Sequence, residues 1–252
     1  MNETVCTHDL KCIQSGLLLV DAILNDVDVG NHSLGFFTYS TIILQFKRQL
    51  LEIIFLECHR LVLSFGTMFL NQQLQPPEIF ELSIQVLCKL LEFPFDPNYA
   101  TFNSEISLQE GLQVTYPPTW YPMIRCQNFL NILIQVACSQ HSSLSLVKLA
   151  LSAFNSVLGA RPEGKDVAEV ERIAGIAVDA LPLVCCLLQR RLSREQSESI
   201  LEILAEQATR TIKWFKLSKM LKAGATRFNL WTEALVAVTQ AALRTCPEVS
   251  YC

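Results

Sequence analysis

Apolar residues recur along this chain at spacings of three and four, the period of a helix with one buried face. The first such stretch, from His8 to about Asp26, places Leu10, Ile13, Leu17, Val20 and Leu24 on one side. Asp26 to Asn31 should then break it with turn-forming residues. From about Ser40 to Leu70 the spacing is more regular still, through Leu51, Ile54, Phe55, Cys58, Leu61, Val62, Phe65 and Phe69. Lys47, Arg48, Glu52 and Arg60 mark its opposite face, and Asn71 with the following glutamines ends it. Pro76-Pro77-Glu78 opens a third helix, because proline suits a first turn where its missing N–H is no loss. Ile79, Leu82, Val86, Leu87, Leu90 and Leu91 form its buried face, and Phe93-Pro94 stops it, since the residue before proline disfavours the α region.

The pattern then disappears. A long loop without helical period, at about 94–118, separates Phe93-Pro94-Phe95-Asp96 from Tyr116-Pro117-Pro118-Thr119-Trp120. Periodicity returns with a helix from about Pro122 to Ser139, striped by Phe129, Ile132, Leu133 and Val136. Ser142 and Ser143 are candidate caps for a helix over Leu144 to Leu158, and Gly159 is placed to end it in the manner of a C-terminal glycine. Lys165-Asp166 opens the next helix, which Pro182 should kink or divide. Ser193 to Gln196 reads as a capping box before a helix carrying Ile200, Leu201, Leu204 and Ala208. Trp214 to Leu221 continues in period to Gly224, and a last helix spans about Phe228 to Thr245 around Trp231, Leu235, Val238 and Ala242.

Roughly eight to ten helices and no strand make the chain all-α. Short links at 70–77, 139–144 and 159–165 imply antiparallel neighbours. Pairs recurring about every forty residues have the period of HEAT or armadillo repeats. The expected architecture is therefore a HEAT/armadillo-like helical-repeat solenoid of antiparallel helix pairs, one segment over residues 1–252, with a compact helical bundle as the alternative.

Composition changes this picture in one respect. Of 252 residues, 50% are hydrophobic and only 17% charged, so either the core is large or apolar surface is reserved for partners. A formal charge of −4 without any basic run argues against nucleic-acid binding. The lysine-rich stretch Lys213 to Lys222 reads as a solvated helix face, with an anionic-partner patch as the alternative. Cys58, Cys88, Cys138, Cys185 and Cys186 lie in apolar helical runs and behave there as small hydrophobes, which indicates a reducing compartment. The start lacks the basic and apolar parts of a signal peptide. No membrane span is expected: Leu50 to Leu70 contains Glu52, Glu57, His59 and Arg60, and Gly175 to Leu188 is short and holds Asp179 and Pro182.

Candidate chemistry is sparse. Cys6, His8 and Cys12 lie close together but suggest no fourth zinc ligand. Cys58 and His59 are adjacent on one helix, so they point about 100° apart and make no dyad; a buried cysteine beside a boundary histidine is the expectation. Glu169 and Glu171 read as a solvated face. Phosphate-binding glycine loops and nucleophile elbows are absent from the sequence. No catalytic, cofactor-binding or metal-binding residue is nominated, no partner-contacting residue is assigned, and the chain is read as not an enzyme. A small-ligand carrier or enzyme with a bundle-core site would need convergent polar groups in a deep pocket, and the helical stripes offer few.

The stretch from Leu87 to Leu133 resembles the exportin seven and exportin four branch of the importin-β (karyopherin-β) family. That branch has an apolar helix ending in a leucine-rich run and an aromatic-Asp pair, a variable loop, a Pro-x-Ser/Thr-Trp element and another apolar helix. The matching residues are Leu87 to Asp96, Pro117-Pro118-Thr119-Trp120 and Phe129 to Val136. Phe46 to Leu63, Ser145 to Leu158 and Phe228 to Thr245 resemble flanking family helices, so the likeness covers Leu44 to Thr245. Two departures stand out: Pro94 splits the aromatic pair, and Tyr121-Pro122 follows the tryptophan where the family usually has a basic residue. Family members are several times longer, and the N-terminal repeats where Ran-GTP docks are not recognised here, so the chain resembles an internal piece of the solenoid. The resemblance implies a nuclear transport receptor, or a fragment of one. It would carry cargo proteins through the nuclear pore between nucleus and cytoplasm, with Ran-GTP and phenylalanine-glycine nucleoporins as partners. A generic helical-repeat scaffold without a transport role is the alternative. Trp120 is expected to pack the loop at a partly wet site, with Phe93 to Phe95 anchoring the loop's other end.

Overall fold

A computed structural model describes residues 3–30, 41–74, 77–92, 116–160, 167–185 and 194–217, together with the helical residues Thr232, Glu233, Val236 and Gln240. Among the described residues the chain is all-α, with no strand. The helices are α1 (Glu3–Gly30), α2 (Thr41–Leu70), α3 (Glu78–Glu92), α4 (Tyr121–Ile124), α5 (Gln127–Cys138), α6 (Leu144–Gly159), α7 (Val167–Cys185) and α8 (Arg194–Leu217). A 3-10 turn over Pro118–Trp120 leads into α4. Contacts divide the chain into two compact units, Met1–Phe93 and Pro94–Cys252.

In the first unit, α3 is the central element and packs against both α1 and α2. Its Phe80, Ile84, Val86, Leu87, Leu90 and Leu91 are fully buried. Being apolar on most of its circumference, α3 can serve two neighbours at once. From α2 come Phe55, Val62 and Phe69, the last 5.4 Å from Phe80 between ring centroids. Lys89 of α3 meets Asp21 of α1 at 2.6 Å. The buried hydroxyl of Ser83 donates to the carbonyl of Ile79, so it brings no unmet polar group into this core.

Two helix ends in this unit differ from expectation or refine it. The residues Asp26 to Gly30 do not break α1, which runs on to Gly30. Aspartate and valine each cost only a few tenths of a kcal/mol in a helix, too little to stop one already formed. The end of α2 falls where expected, and its geometry is specific. Gln72 N–H donates to Phe69 O and Gln73 N–H to Met68 O, with Gln72 at φ 57°. This pair of bonds around one left-handed residue is a Schellman motif, built here on glutamine in place of glycine.

In the second unit α5 packs on α6, α6 on α8, α7 on α8 and α5 on α7. Phe129, Leu130, Leu133, Val136, Val147, Leu151, Phe154, Ile173, Ala174, Ala177 and Leu204 are buried where these helices meet. Ser143 caps α6 as expected, its Oγ accepting from the Leu146 N–H at 3.0 Å. Ser142 Oγ instead donates to Val136 O at 2.5 Å and ties the α5–α6 link to the end of α5.

Two expectations are corrected in this unit, and the one for Pro182 loses its second half. The helix expected over Pro122 to Ser139 is interrupted: α4 ends at Ile124, Cys126 is extended at φ −59° and ψ 129°, and α5 starts at Gln127. The interruption turns the backbone where the side chain of Arg125 is buried. Pro182 does not divide α7, which continues through it to Cys185. The proline stands in the last turn of a helix already held by the buried Ile173, Ala177 and Val178. Gly159 is the last residue of α6 and not a left-handed terminator, because Ala160 after it is extended at φ −68° and ψ 135°. The helix with Ile200 and the segment with Trp214 form one element, α8. The loop residues 93–115, Ser193, Gly224 and the side chains of Cys185, Cys186 and Trp231 lie outside the described residues.

Candidate functional site

The residues of greatest interest converge on the C-terminal end of α6. The last carbonyls of any helix have no partner inside it and must find one elsewhere. Here side chains from distant parts of the chain supply two of them, and a third side chain adds a donor to a carbonyl one position further in. Tyr116 Oη donates to Ser156 O at 3.3 Å. Trp214 Nε1, on α8, donates to Leu158 O at 2.7 Å. The Arg210 guanidinium, one turn before Trp214, donates to Asn155 O. Val157 O is met by the backbone N–H of Ala160 at 3.1 Å.

Gly159 makes room for this arrangement. A β-carbon there would stand 2.6 Å from Arg210 Nη1 and 2.9 Å from its Cζ. The glycine leaves the space that the flexible end of Arg210 fills, with no demand on backbone conformation. Arg210 is held from its other side by Glu206 at 2.5 Å, one turn back on α8. The side-chain amide of Asn155 donates to Ile203 O at 2.9 Å. Asn155, Gln207 and Thr211 are all buried. The α6–α8 contact is therefore polar at its centre, and helix periodicity does not announce that.

Beside this end sits the Tyr116–Cys126 segment. Trp120 is only 1% exposed and lies 6.1 Å from the Tyr116 ring in a stacked arrangement. Its surroundings are dry, which corrects the expectation of a partly wet site. Tyr121 meets Tyr116 edge-on at 6.0 Å, and its hydroxyl accepts from the Tyr116 N–H at 3.2 Å. Arg125 is 1% exposed. Its Cζ lies 4.3 Å from the Tyr121 ring centroid and 5.6 Å from that of Trp214. Its Nη1 meets Glu169 Oε2 of α7 at 3.3 Å. A guanidinium leaves water with less loss than an ammonium and is further stabilised by aromatic faces and a carboxylate.

Several sequence readings take new meaning here. Glu169 was expected on a solvated face, yet it is the counter-ion of a buried arginine. Trp214 belongs to the supposedly solvated lysine stretch, yet it is 2% exposed and bonded to α6. Arg125, Asn155, Arg210 and Gln207 went unremarked in the sequence. The only local signals for them are a charged or amide residue falling on an otherwise apolar helix face. His59, expected at a boundary, is buried against Phe55 with ring centroids 5.9 Å apart. Beside it, burial pushes the Cys58 thiol up to about 12, and the Glu57 carboxylate adds to the effect. Such a thiol is a poor nucleophile at neutral pH. The side chains of Cys6 and His8 lie outside the described residues, while Cys12 is exposed.

Chemically, the convergence is an anchor. Its groups are donors that meet helix carbonyls, stacked rings and two ion pairs, Arg125–Glu169 and Arg210–Glu206. Among the described residues no three His, Cys, Asp or Glu side chains gather to hold a metal ion. Set against known proteins, the chain matches no family model, no curated protein and no solved structure.

Proposed function

We propose that this chain is an exportin-like nuclear transport receptor, or a fragment of one, that acts by binding proteins and not by catalysis. The observation that carries the reading is the likeness of Leu87 to Leu133 to the exportin seven and exportin four branch, centred on Pro117-Pro118-Thr119-Trp120 and the apolar helix after it. Two structural features support it. The contacts α5–α6, α7–α8, α5–α7 and α6–α8 are compatible with two helix pairs laid side by side, as stacked pairs in a HEAT solenoid would be. Leu18, Leu19 and Ile23 on α1, and Leu50, Ile53 and Leu56 on α2, are exposed. Apolar surface of this kind suits a protein whose work is to hold other proteins. On this reading the partners are cargo proteins, phenylalanine-glycine nucleoporins and Ran-GTP, and the protein shuttles between nucleus and cytoplasm.

One observation favours a second reading, a helical-repeat scaffold without a transport role. Most of the apolar residues that carry the likeness, among them Trp120, Phe129, Leu133 and Val136, are buried and report on folding, while Pro118 and Thr119 are exposed. Retention on immobilised phenylalanine-glycine repeats separates the two. The transport reading expects the folded chain to be retained, and to lose retention when the phenylalanines of the repeats are changed to serine. A folded chain that passes through unretained overturns it and leaves the scaffold.

A further inference from the structure

Among the described residues of the second unit, the four longest helices are two chain-adjacent pairs, α5 with α6 and α7 with α8. We propose that Arg125 is the tether that makes these two pairs open and close as one cooperative body. The inference rests on contacts inside this unit and is independent of any transport role.

Arg125 stands on the turn that feeds α5, and three other parts of the chain meet it. On the second pair, its guanidinium pairs with Glu169 of α7 at 3.3 Å and lies 5.6 Å from the Trp214 ring of α8. On its own side it lies over Tyr121 at 4.3 Å. Trp214 passes the connection on, because its indole N–H donates to Leu158 O at the end of α6. One side chain thus touches both helices of the second pair and, through one intermediary, the far helix of the first.

The physical reason for cooperativity is desolvation. Arg125 is 1% exposed and the Glu169 side chain 26% exposed. A guanidinium so far from water is tolerable only while its counter-charge and ring faces stay in place. If α7–α8 separated from α5–α6, Arg125 would lose Glu169 and Trp214 together. Opening of one pair alone therefore forfeits both contacts at once, and that shared cost couples the two pairs. Within the first pair, by contrast, the links are local: Ser143 caps α6, and Ser142 bonds to Val136 across the short turn. Those links do not depend on Arg125.

Amide hydrogen exchange of the whole chain tests this. In the unchanged protein, the slowest amides of α5, α6, α7 and α8 should exchange with one common protection. In Arg125→Met, which keeps much of the side-chain volume and removes the charge, amides of α7 and α8 should exchange on the order of tenfold faster than those of α5 and α6. Equal loss of protection in all four helices would mean that Arg125 only adds stability, and unchanged protection would mean that it does nothing. Either result overturns the proposal. Should Arg125→Met not fold, Glu169→Gln decides by the same comparison. It keeps an acceptor for the guanidinium while removing the counter-charge, and the same split between the pairs is expected.

Discussion

Trp120 and Cys58 show what burial does to a single residue. With 1% of its surface exposed and Tyr116 stacked beside it, Trp120 fills a volume that no neighbour replaces. Trp120→Ala should lower unfolding stability by about 3–5 kcal/mol, read from the urea midpoint of the whole chain. An unchanged midpoint would mean that Trp120 anchors nothing. Cys58 makes a prediction in pH. Its thiol, at about 12 when folded against 9.0 as the ordinary value, holds its proton more tightly in the folded chain. The contribution of this group to stability is therefore complete below pH 9.0 and is lost as pH rises toward 12, where the unfolded thiol ionises first. A thiol reagent at neutral pH should label the exposed Cys12 and Cys126 promptly, and Cys58 only as fast as the helix opens. Prompt labelling of Cys58 would show that its burial is not maintained in solution.

At the scale of the element, two helix ends exchange the roles that glycine usually plays. The end of α2 turns left-handed on Gln72, at φ 57°. An L-residue there costs roughly 1–2 kcal/mol, and glycine's extra chain entropy returns roughly half of that. Gln72→Gly should thus stabilise the chain by roughly 0.5–1 kcal/mol in denaturant melts. At the end of α6, glycine serves space, and Gly159→Ala should destabilise. A β-carbon 2.6 Å from Arg210 Nη1 makes the guanidinium shift from Asn155 O, at a cost of about 0.5–1.5 kcal/mol for the hydrogen bond weakened, since this carbonyl keeps its partner within the helix. A neutral Gly159→Ala would mean that Arg210 relocates freely.

These ends also mark how far the sequence could be read. Spacing of Leu, Val, Ile and Phe located α2, α3, α6 and α7 closely, because burying one face dominates the free energy of such helices. The cap at Ser143 was legible because its partner, Leu146 N–H, is three residues away. The anchor was not. Arg210 and Asn155 are 55 residues apart, and Trp214 and Leu158 are 56. Nothing local distinguishes a lysine-flanked tryptophan that faces water from one that caps a distant helix. The break at Arg125 is no more legible, since the Arg125–Glu169 contact that accompanies it joins residues 44 apart.

For the molecule as a whole, the borrowed donors at the end of α6 carry a consequence for time. A helix whose last carbonyls are met by its own following residues is complete as soon as it has been made. At the end of α6, Tyr116 and Ala160 can meet Ser156 O and Val157 O early, but Leu158 O waits for Trp214, and closing a loop of that length precedes any gain from the bond. On a growing chain, α6 emerges after Tyr116 but before Trp214, so Leu158 O stays open until most of α8 has followed. Trp214→Phe, which removes the indole donor and keeps a ring, should therefore leave the refolding rate nearly unchanged and speed unfolding by about tenfold. Stopped-flow refolding and unfolding on this variant would reveal the order of events. A slowed refolding rate would place the Trp214–Leu158 bond early, and the second unit would then be built from its far end inward.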